Sequence, residues 1–412
     1  MKCLLLMLGF VLTGCMSFSK TMPVPLSERH QPSGLNGHFK ADRFSSFEDY
    51  EKSTREMMIH ARTDMGRADR ERIIEGNAPF DLKPAGSCIQ ESKRPYRRGI
   101  LLTHGLTDST YSIRTLGKFF QENCFRVMAI LLPGHGTRPG DLLDVTWQDW
   151  VEAERFGINA LASEVDEIYL LGFSTGGTLS AYEALHDPRI KGLFLFSPAI
   201  RISVFAAIAN FPKLINWAVP RAKWSNVMND EDPFRYESFT FNAIDQVYLL
   251  IQALKAELSR QMVTVPVFMA VSEEDATVST PESLKFFRQQ VTHSLSRMIF
   301  YSATTPLPDL RDRRIEVVNS AFPDQHIIGS AHTAMTLPPD DPHFGKEGDG
   351  TRCMHYFNKD PKKYALCKEK KEDFLGEISD ENMEKGVIRR LMYNPNYDAL
   401  KLSLKQFINA LP

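Results

Sequence analysis

Between residues 99 and 301 the chain alternates short apolar runs with stretches of helical character, and this alternation restricts the fold more than any other feature. The apolar runs are 100–102, 127–132, 168–171, 193–196, 265–271 and 297–301, and the helical stretches are 113–121, 147–162, 177–185 and 281–290. Strands that alternate with helices form parallel sheets, and continuously apolar strands indicate a sheet covered on both faces. The sequence therefore predicts an α/β fold with a mostly parallel central sheet and helices on both faces.

A serine lies between one of these runs and the helix that follows it. The run 168–171 leads directly into Gly172-Phe173-Ser174-Thr175-Gly176, which has the pattern G-x-S-x-G. A sharp strand-to-helix turn exposes the serine oxygen at a helix N-terminus, where the helix dipole favours a developing anion. We therefore predict that Ser174 is a nucleophile and that the backbone N–H of Thr175 stabilises an oxyanion.

A second oxyanion donor is expected from the loop after the first apolar run. That loop reads Thr103-His104-Gly105-Leu106, and the N–H of Leu106 is the candidate donor. His104 is expected to shape the loop rather than to react.

Four motifs together resemble the bacterial carboxylesterase and monoacylglycerol lipase branch of the α/β-hydrolases. They are the segment 101–109, Leu132-Pro133-Gly134-His135-Gly136, the segment 146–150 and the Ser174 motif. The resemblance covers about residues 97–200 and resumes near Asp275. It implies the α/β-hydrolase fold, acyl transfer through an acyl-enzyme, and a structural role for His135 in a turn.

In this fold the catalytic acid follows the serine along the chain, and the histidine comes last. Asp275 directly follows the run 265–271, in a loop that resembles the acid loop of the family. It is our choice for the acid that holds the imidazole tautomer, with Glu274 as a weaker rival.

The base is expected among the late histidines, His326, His332, His343 and His355. His332 lies in Gly329-Ser330-Ala331-His332, after a predicted final strand at 326–328, and matches the terminal Ser-x-His pattern of the family. We therefore predict that His332 is the base.

Three segments depart from a compact hydrolase pattern. Residues from about 198 to 262 break the alternation and are predicted to form an inserted cap, rich in large apolar side chains of which some line an acyl pocket above Ser174. Residues from about 304 to 325 are predicted to form an extra loop. Prolines within 337–345 forbid a helix directly after His332, so the segment through Cys367 is an extension whose place the sequence does not assign.

The N-terminus predicts export. Residues 1–14 have the layout of a signal peptide, with Lys2 followed by an apolar run at 4–12 that is too short to span a bilayer. Leu12-Thr13-Gly14-Cys15 resembles the lipobox of bacterial lipoproteins, which implies lipidation of Cys15 and attachment to the cell envelope. Since Met16 rather than an aspartate follows, we expect the outer membrane, facing the periplasm. The polar residues 15–45 predict a tether, followed by a hydrolase domain over 46–412.

Composition and cysteine usage indicate what to expect of disulfides, of cofactors and of nucleic-acid binding. Apart from Cys3 in the signal peptide and Cys15 at the lipidation site, four cysteines remain, and the sequence leaves their three possible pairings open. The short loop between Cys353 and Cys367 favours that pair, with Cys88 and Cys124 as the remaining possible pair. Neither a C-x-x-C pair nor a Cys/His cluster at zinc spacing is present, so we predict no metal and no cofactor. The formal net charge is −2 without a long basic block, so no nucleic-acid partner is expected.

The resulting hypothesis is a serine hydrolase that cleaves short or medium acyl esters or monoacylglycerol, with a small-molecule ester or lipid as its substrate. The alternatives are a thioesterase or acyltransferase with the same triad, and a catalytically silent binding protein on the same fold.

Overall fold

The computed structural model describes residues 24–66, 68–86, 88, 92–202, 220–357, 359–370 and 373–412. The predicted signal peptide, the lipidation at Cys15 and the part of the predicted cap at 203–219 lie outside these residues. Across the described ranges, no helix is both long and apolar enough to cross a membrane.

Most of the strands form one central sheet. The strands are β1 (Phe80–Leu82), β2 (Tyr96–Thr103), β3 (Phe125–Ile130), β4 (Val165–Phe173), β5 (Ile190–Phe196), β6 (Trp224–Asn226), β7 (Phe239–Thr240), β8 (Val267–Ser272), β9 (Arg297–Ser302), β10 (Ile315–Asn319), β11 (Asp373–Gly376) and β12 (Val387–Arg390). The central sheet has eight of them in the order β1-β3-β2-β4-β5-β8-β9-β10, and all except β1 run parallel.

Helices cover both faces of this sheet. The α-helices of the described residues are α1 (Phe47–Ala61), α2 (Arg70–Asn77), α3 (Tyr111–Glu122), α4 (Trp147–Ala162), α5 (Thr175–Ala184), α6 (Phe241–Leu258), α7 (Thr280–Gln290), α8 (Pro361–Lys368), α9 (Asp380–Glu384) and α10 (Tyr397–Ala410). Buried side chains of α3 and α10 pack on one face, and those of α4, α5, α6 and α7 pack on the other. The predicted fold class is confirmed.

The segment 24–45 does not form the tether that the sequence predicts, because it packs against the domain. The Asn36 amide donates to the carbonyl oxygen of His135 at 3.0 Å and accepts the N–H of Gly134 at 3.0 Å. The hydroxyl of Ser33 donates to Asp141 at 2.9 Å. A polar composition indicates a tether only where the polar groups face water, and here they satisfy backbone groups of a buried turn.

The region after β9 also differs from the expectation. The predicted extra loop at 304–325 contains β10, which pairs with β9 in the register Ile315↔Met298. The predicted strand at 326–328 does not join the sheet, and Ile327 makes only isolated bridges to Phe322 and Leu375. Because β10 is a half-exposed edge strand, it lacks the continuous apolar run that marks the buried strands.

The extension predicted after His332 continues beyond Cys367 in the structure, and the name is used below for the segment 337–396. It contains a two-stranded sheet and two short helices. No helix follows His332 directly, as the prolines predict; β11 and β12 pair in parallel, and α8 and α9 flank them. A disulfide joins Cys353 to Cys367, and a second joins Cys88 to Cys124, which are the two pairs that the sequence favours.

Candidate active site

Ser174 occupies the turn between β4 and α5. Its φ of 54° is unusual for a residue with a side chain. A Cβ atom at Gly172 would overlap the backbone of Gly176, and one at Gly176 would overlap the carbonyl oxygen of Thr103. The turn therefore requires both glycines, and the strain at Ser174 is typical of a nucleophile elbow.

Ser174, His332 and Asp275 form one chain of hydrogen bonds. The distance from Ser174 Oγ to His332 Nε2 is 3.0 Å, and from His332 Nδ1 to Asp275 Oδ2 it is 2.7 Å. The other oxygen of Asp275 accepts the N–H groups of Thr277 at 2.8 Å and Val278 at 2.9 Å. The loop thus fixes one carboxylate oxygen and leaves the other for His332, an arrangement in which the imidazole can take the hydroxyl proton.

The rival residues face elsewhere. Glu274 accepts hydrogen bonds from the Ser272 hydroxyl at 2.8 Å and from the Ala303 N–H at 2.5 Å, and burial raises its pKa. His326 is exposed, and His355 bonds the carbonyl oxygen of Ile388 at 2.9 Å. His343 pairs with Asp349 and Asp232 in the extension and the cap.

The loop that carries Leu106 lies against the serine. A Cβ atom at Gly105 would be 3.1 Å from the Cβ atom of Ser174. Leu106 and Thr175 line the same cavity as Ser174. Both residues predicted from the sequence to supply the oxyanion donors therefore lie at the same cavity as the nucleophile candidate.

His104 and His135 hold this loop in place. His104 Nε2 accepts the N–H of Leu132 at 3.0 Å, and His135 Nε2 accepts the N–H of Thr107 at 3.0 Å. Burial lowers the pKa of His104 to about 4 and that of His135 to about 3. Both rings are therefore neutral acceptors at pH 7, which agrees with the structural roles expected for them.

A cavity of about 830 Å³ opens above Ser174 and His332. Its apolar wall consists of Leu106, Phe173, Ala199, Ile202, Phe239, Phe241, Ile244, Val247, Ala276 and Val278. Six of these side chains come from the described part of the predicted cap, at 198–202 and 220–262. Phe234, from the same part, instead stacks on Tyr111 at 3.9 Å between ring centroids. Phe205, Ile208, Phe211, Leu214 and Trp217 lie outside the described residues.

The sequence motifs do not predict four charged residues that the structure places at the site. Glu377 accepts the backbone N–H of His332 at 2.9 Å, and Arg235, Arg352 and Arg390 line the cavity. They belong to no motif, and they meet only because the extension folds back over the loop of His332. The one sequence signal was the favoured Cys353–Cys367 pair, which indicated that the extension is folded.

Comparisons with known proteins place residues 94–303 in the family described as serine aminopeptidase, S33. A thermostable monoacylglycerol lipase from Bacillus sp. (strain H-257) is 31% identical over 185 residues, which are 44% of this chain and 71% of the lipase. A carboxylesterase from Bacillus subtilis (strain 168) is 24% identical over 209 residues, which are 50% of this chain and 82% of the esterase. A solved structure of the metagenome-derived lipolytic enzymes LipS and LipT aligns with a TM-score of 0.44 and 23% identity, and covers 54% of this chain and 86% of that chain. The family match ends before His332 and the extension.

Proposed function

This chain belongs to the serine aminopeptidase S33 family of serine hydrolases with the α/β-hydrolase fold, and from that premise we propose that it cleaves carboxylic esters with Ser174 as nucleophile. The observation that carries the proposal is the hydrogen-bonded chain Ser174–His332–Asp275 in a cavity large enough for a small ester.

The reaction follows from the positions of these groups. His332 Nε2 takes the proton of Ser174 as Oγ attacks the ester carbon, and Asp275 stabilises the imidazolium. The negative oxygen of the tetrahedral intermediate accepts hydrogen bonds from the N–H groups of Leu106 and Thr175. His332 then protonates the leaving alcohol, and the acyl group remains on Ser174. Water, deprotonated by His332, attacks this acyl-enzyme, and His332 returns the proton to Ser174 Oγ as the carboxylic acid is released.

The residues that line the cavity favour an acyl ester, rather than the N-terminus of a peptide, as the substrate. Ten apolar residues line the cavity, and each substrate methylene that they bury contributes about 0.8 kcal/mol. An aminopeptidase substrate carries an ammonium group, which needs a carboxylate nearby. The described residues that line this cavity include three arginines and neither Asp nor Glu. We therefore propose short or medium acyl esters, including monoacylglycerol, as substrates. The two Bacillus relatives, a monoacylglycerol lipase and a carboxylesterase, support this proposal by their names.

A fluorophosphonate probe tests the nucleophile. It should label the enzyme at Ser174, fail to label Ser174→Ala, and label the control Ser294→Ala, whose serine is exposed and outside the cavity. A silent binding protein would not react at all.

A p-nitrophenyl ester series tests the substrate class. We expect kcat/KM to rise with acyl length until the cavity is full and then to fall. A flat profile, or hydrolysis of acyl thioesters alone, would contradict the ester assignment.

We also propose that a lipid on Cys15 holds the enzyme at the cell envelope, on the strength of Leu12-Thr13-Gly14-Cys15. Cys15→Ser should move the protein from the membrane fraction to a soluble or unprocessed form. A mature N-terminus elsewhere by mass spectrometry, without an acyl group, would contradict this proposal.

A further inference from the structure

Beside its apolar wall, the cavity above Ser174 has a cationic wall made of Arg235, Arg352 and Arg390. Each of these arginines pairs with a carboxylate. Within the described part of the chain, however, no Asp or Glu side chain lines the cavity. A substrate in the cavity therefore meets guanidinium groups rather than carboxylate oxygens.

The paired carboxylates, which do not line the cavity, fix the positions of the arginines. Arg235 binds buried Asp108 with two hydrogen bonds, of 3.0 and 2.7 Å. Arg352 Nη1 lies 3.2 Å from Asp232, and Arg390 Nη2 lies 3.2 Å from Glu377. A guanidinium group has five N–H donors in a fixed plane, so these pairings leave donors for a ligand.

The cationic wall borders the reacting groups. Glu377, the partner of Arg390, also accepts the backbone N–H of His332. The backbone N–H of Arg390 donates to the carbonyl oxygen of Arg352 at 3.3 Å, so these two arginines are neighbours. The guanidinium group of Arg235 lies 6.0 Å from the ring centroid of Phe173, the residue before Ser174.

The three arginines pair with three carboxylates, Asp108, Asp232 and Glu377, and a fourth acid nearby adds little negative charge. Glu237 Oε1 is 3.8 Å from Arg352, and burial raises the pKa of Glu237 to about 7, so much of this carboxyl is neutral at pH 7. Asp232 serves both Arg352 and His343.

We propose that the cationic wall binds an anionic group of the substrate, a phosphate or a carboxylate, so that the preferred ester carries both an apolar chain and a negative charge. Guanidinium groups bind the oxygens of such groups with paired, charge-assisted hydrogen bonds. Arg352 and Arg390, two of the three arginines, come from the extension, beyond the residues that match the family, so this selectivity depends largely on the extension. The inference rests on the proposed esterase function and specifies its substrate class.

Matched substrates test this selectivity. The first pair is p-nitrophenyl hexanoate and the mono-p-nitrophenyl ester of adipic acid, which differ at the chain end by a carboxylate. The second pair is a monoacylglycerol and the corresponding acylglycerol phosphate. We expect kcat/KM to be about tenfold higher for the charged member of at least one pair, as for a hydrogen bond to a charged group. The pair that shows the preference identifies carboxylate or phosphate.

Variants connect the preference to the arginines. Arg352→Gln should lower the ratio of charged to neutral kcat/KM about tenfold, and Arg352→Lys should retain part of it. The control is Arg311→Gln, because the Arg311 side chain is 87% exposed and lies outside the cavity; its ratio should equal that of the parent.

A measurement on the parent enzyme covers the case in which Arg352→Gln does not fold. Hexyl phosphate or heptanoate should inhibit hydrolysis of the neutral ester at least tenfold better than hexanol, as estimated for roughly one charged hydrogen bond. An enzyme that is labelled at Ser174 but shows neither the substrate preference nor this inhibition overturns the inference and leaves the esterase function standing. An enzyme that is not labelled overturns both.

Discussion

The backbone N–H of His332 donates a hydrogen bond of 2.9 Å to Glu377, although 45 positions separate the two residues along the chain. Glu377 is fully buried, and its other oxygen accepts the N–H of Ile378 at 2.8 Å and lies 3.2 Å from Arg390. The extension therefore fixes the loop that carries His332, the proposed base. We predict that Glu377 acts through His332, as a positioning residue.

Replacing Glu377 tests this role. Glu377→Ala should lower kcat for a neutral ester roughly 10- to 100-fold with little change in KM, because a small displacement of a catalytic group costs about this much. Glu377→Gln should recover most of the loss, since the amide oxygen still accepts the N–H of His332. Steady-state kinetics give the comparison. Equal damage from both changes, or a loss confined to KM, would argue against a positioning role.

The proposed nucleophile and base should act as a unit. Ser174→Ala and His332→Ala are each expected to lower turnover by several orders of magnitude, and the double variant should be scarcely worse than either single one. Exposed His326, the nearest rival in sequence, supplies the control: His326→Ala should keep the activity of the parent. Single-turnover assays with a p-nitrophenyl ester provide the measurement, and additive losses would show that the two residues do not act in one step.

Substitutions at two adjacent carboxylates, Asp275 and Glu274, test which of them is the catalytic acid. Asp275→Asn should lower kcat by about 10⁴, because the amide no longer selects the correct tautomer of His332. Glu274→Gln should leave kcat within a fewfold of the parent, since Glu274 bonds Ser272 and Ala303 instead of His332. The reverse ranking of the two variants would transfer the role of acid to Glu274.

The sequence predicts best those features that depend on local chemistry. Helix α4 runs over the predicted residues 147–162, because the Thr146 hydroxyl and the Asp149 carboxylate form a capping box at its start. The positions of Ser174, Asp275 and His332 were likewise predicted from short motifs. Parallel strands bring their carboxyl ends to one edge, so residues that follow different strands meet there.

Features that depend on distant contacts were not predictable in this way. Asn36 lies in a polar, proline-broken segment, and only the buried turn at 134–135 explains why the segment packs. Glu377 and Arg390 have no neighbouring motif, since their roles arise from the path of the extension. The half-exposed strand β10 has too little apolar pattern to be distinguished from a loop.

Glu237 should make stability depend on pH. Its ordinary pKa of 4.5 is raised to about 7 by burial, with Asp232 and Asp230 raising it further and Arg352 opposing the shift. Between these values the folded protein holds a proton that the unfolded chain has released, so this group's contribution to the unfolding free energy falls as pH rises from about 4.5 to 7.

Glu237→Gln removes that dependence. Relative to the parent, the variant should gain stability between pH 4.5 and 7, by up to about 3 kcal/mol, and the gain should level off above pH 7. Urea unfolding at a series of pH values measures the difference. Glu381→Gln, at an exposed position of the extension, should show no such trend. A constant offset between Glu237→Gln and the parent at every pH would mean that Glu237 keeps its ordinary pKa.

The disulfide between Cys353 and Cys367 should stabilise the cationic wall, because Cys353 is the neighbour of Arg352 and the bridge closes a loop of 14 positions. On the loop-entropy account, such a bridge contributes about 3 kcal/mol. The double variant Cys353→Ala/Cys367→Ala should therefore expose the extension to limited proteolysis and lower the ratio of charged to neutral ester cleavage.

The second disulfide offers a matched control for this prediction. Cys88–Cys124 spans 36 positions, and Cys124 precedes β3 at the edge of the sheet opposite Ser174, which follows β4. Cys88→Ala/Cys124→Ala should lower Tm, because a cross-link is lost, and leave both the protease resistance of the extension and the substrate ratio at the parent values. Mapping the cleavage sites by mass spectrometry distinguishes the two variants. If both lowered the substrate ratio equally, the effect would come from general destabilisation, and the Cys353–Cys367 bridge would have no particular part in holding Arg352.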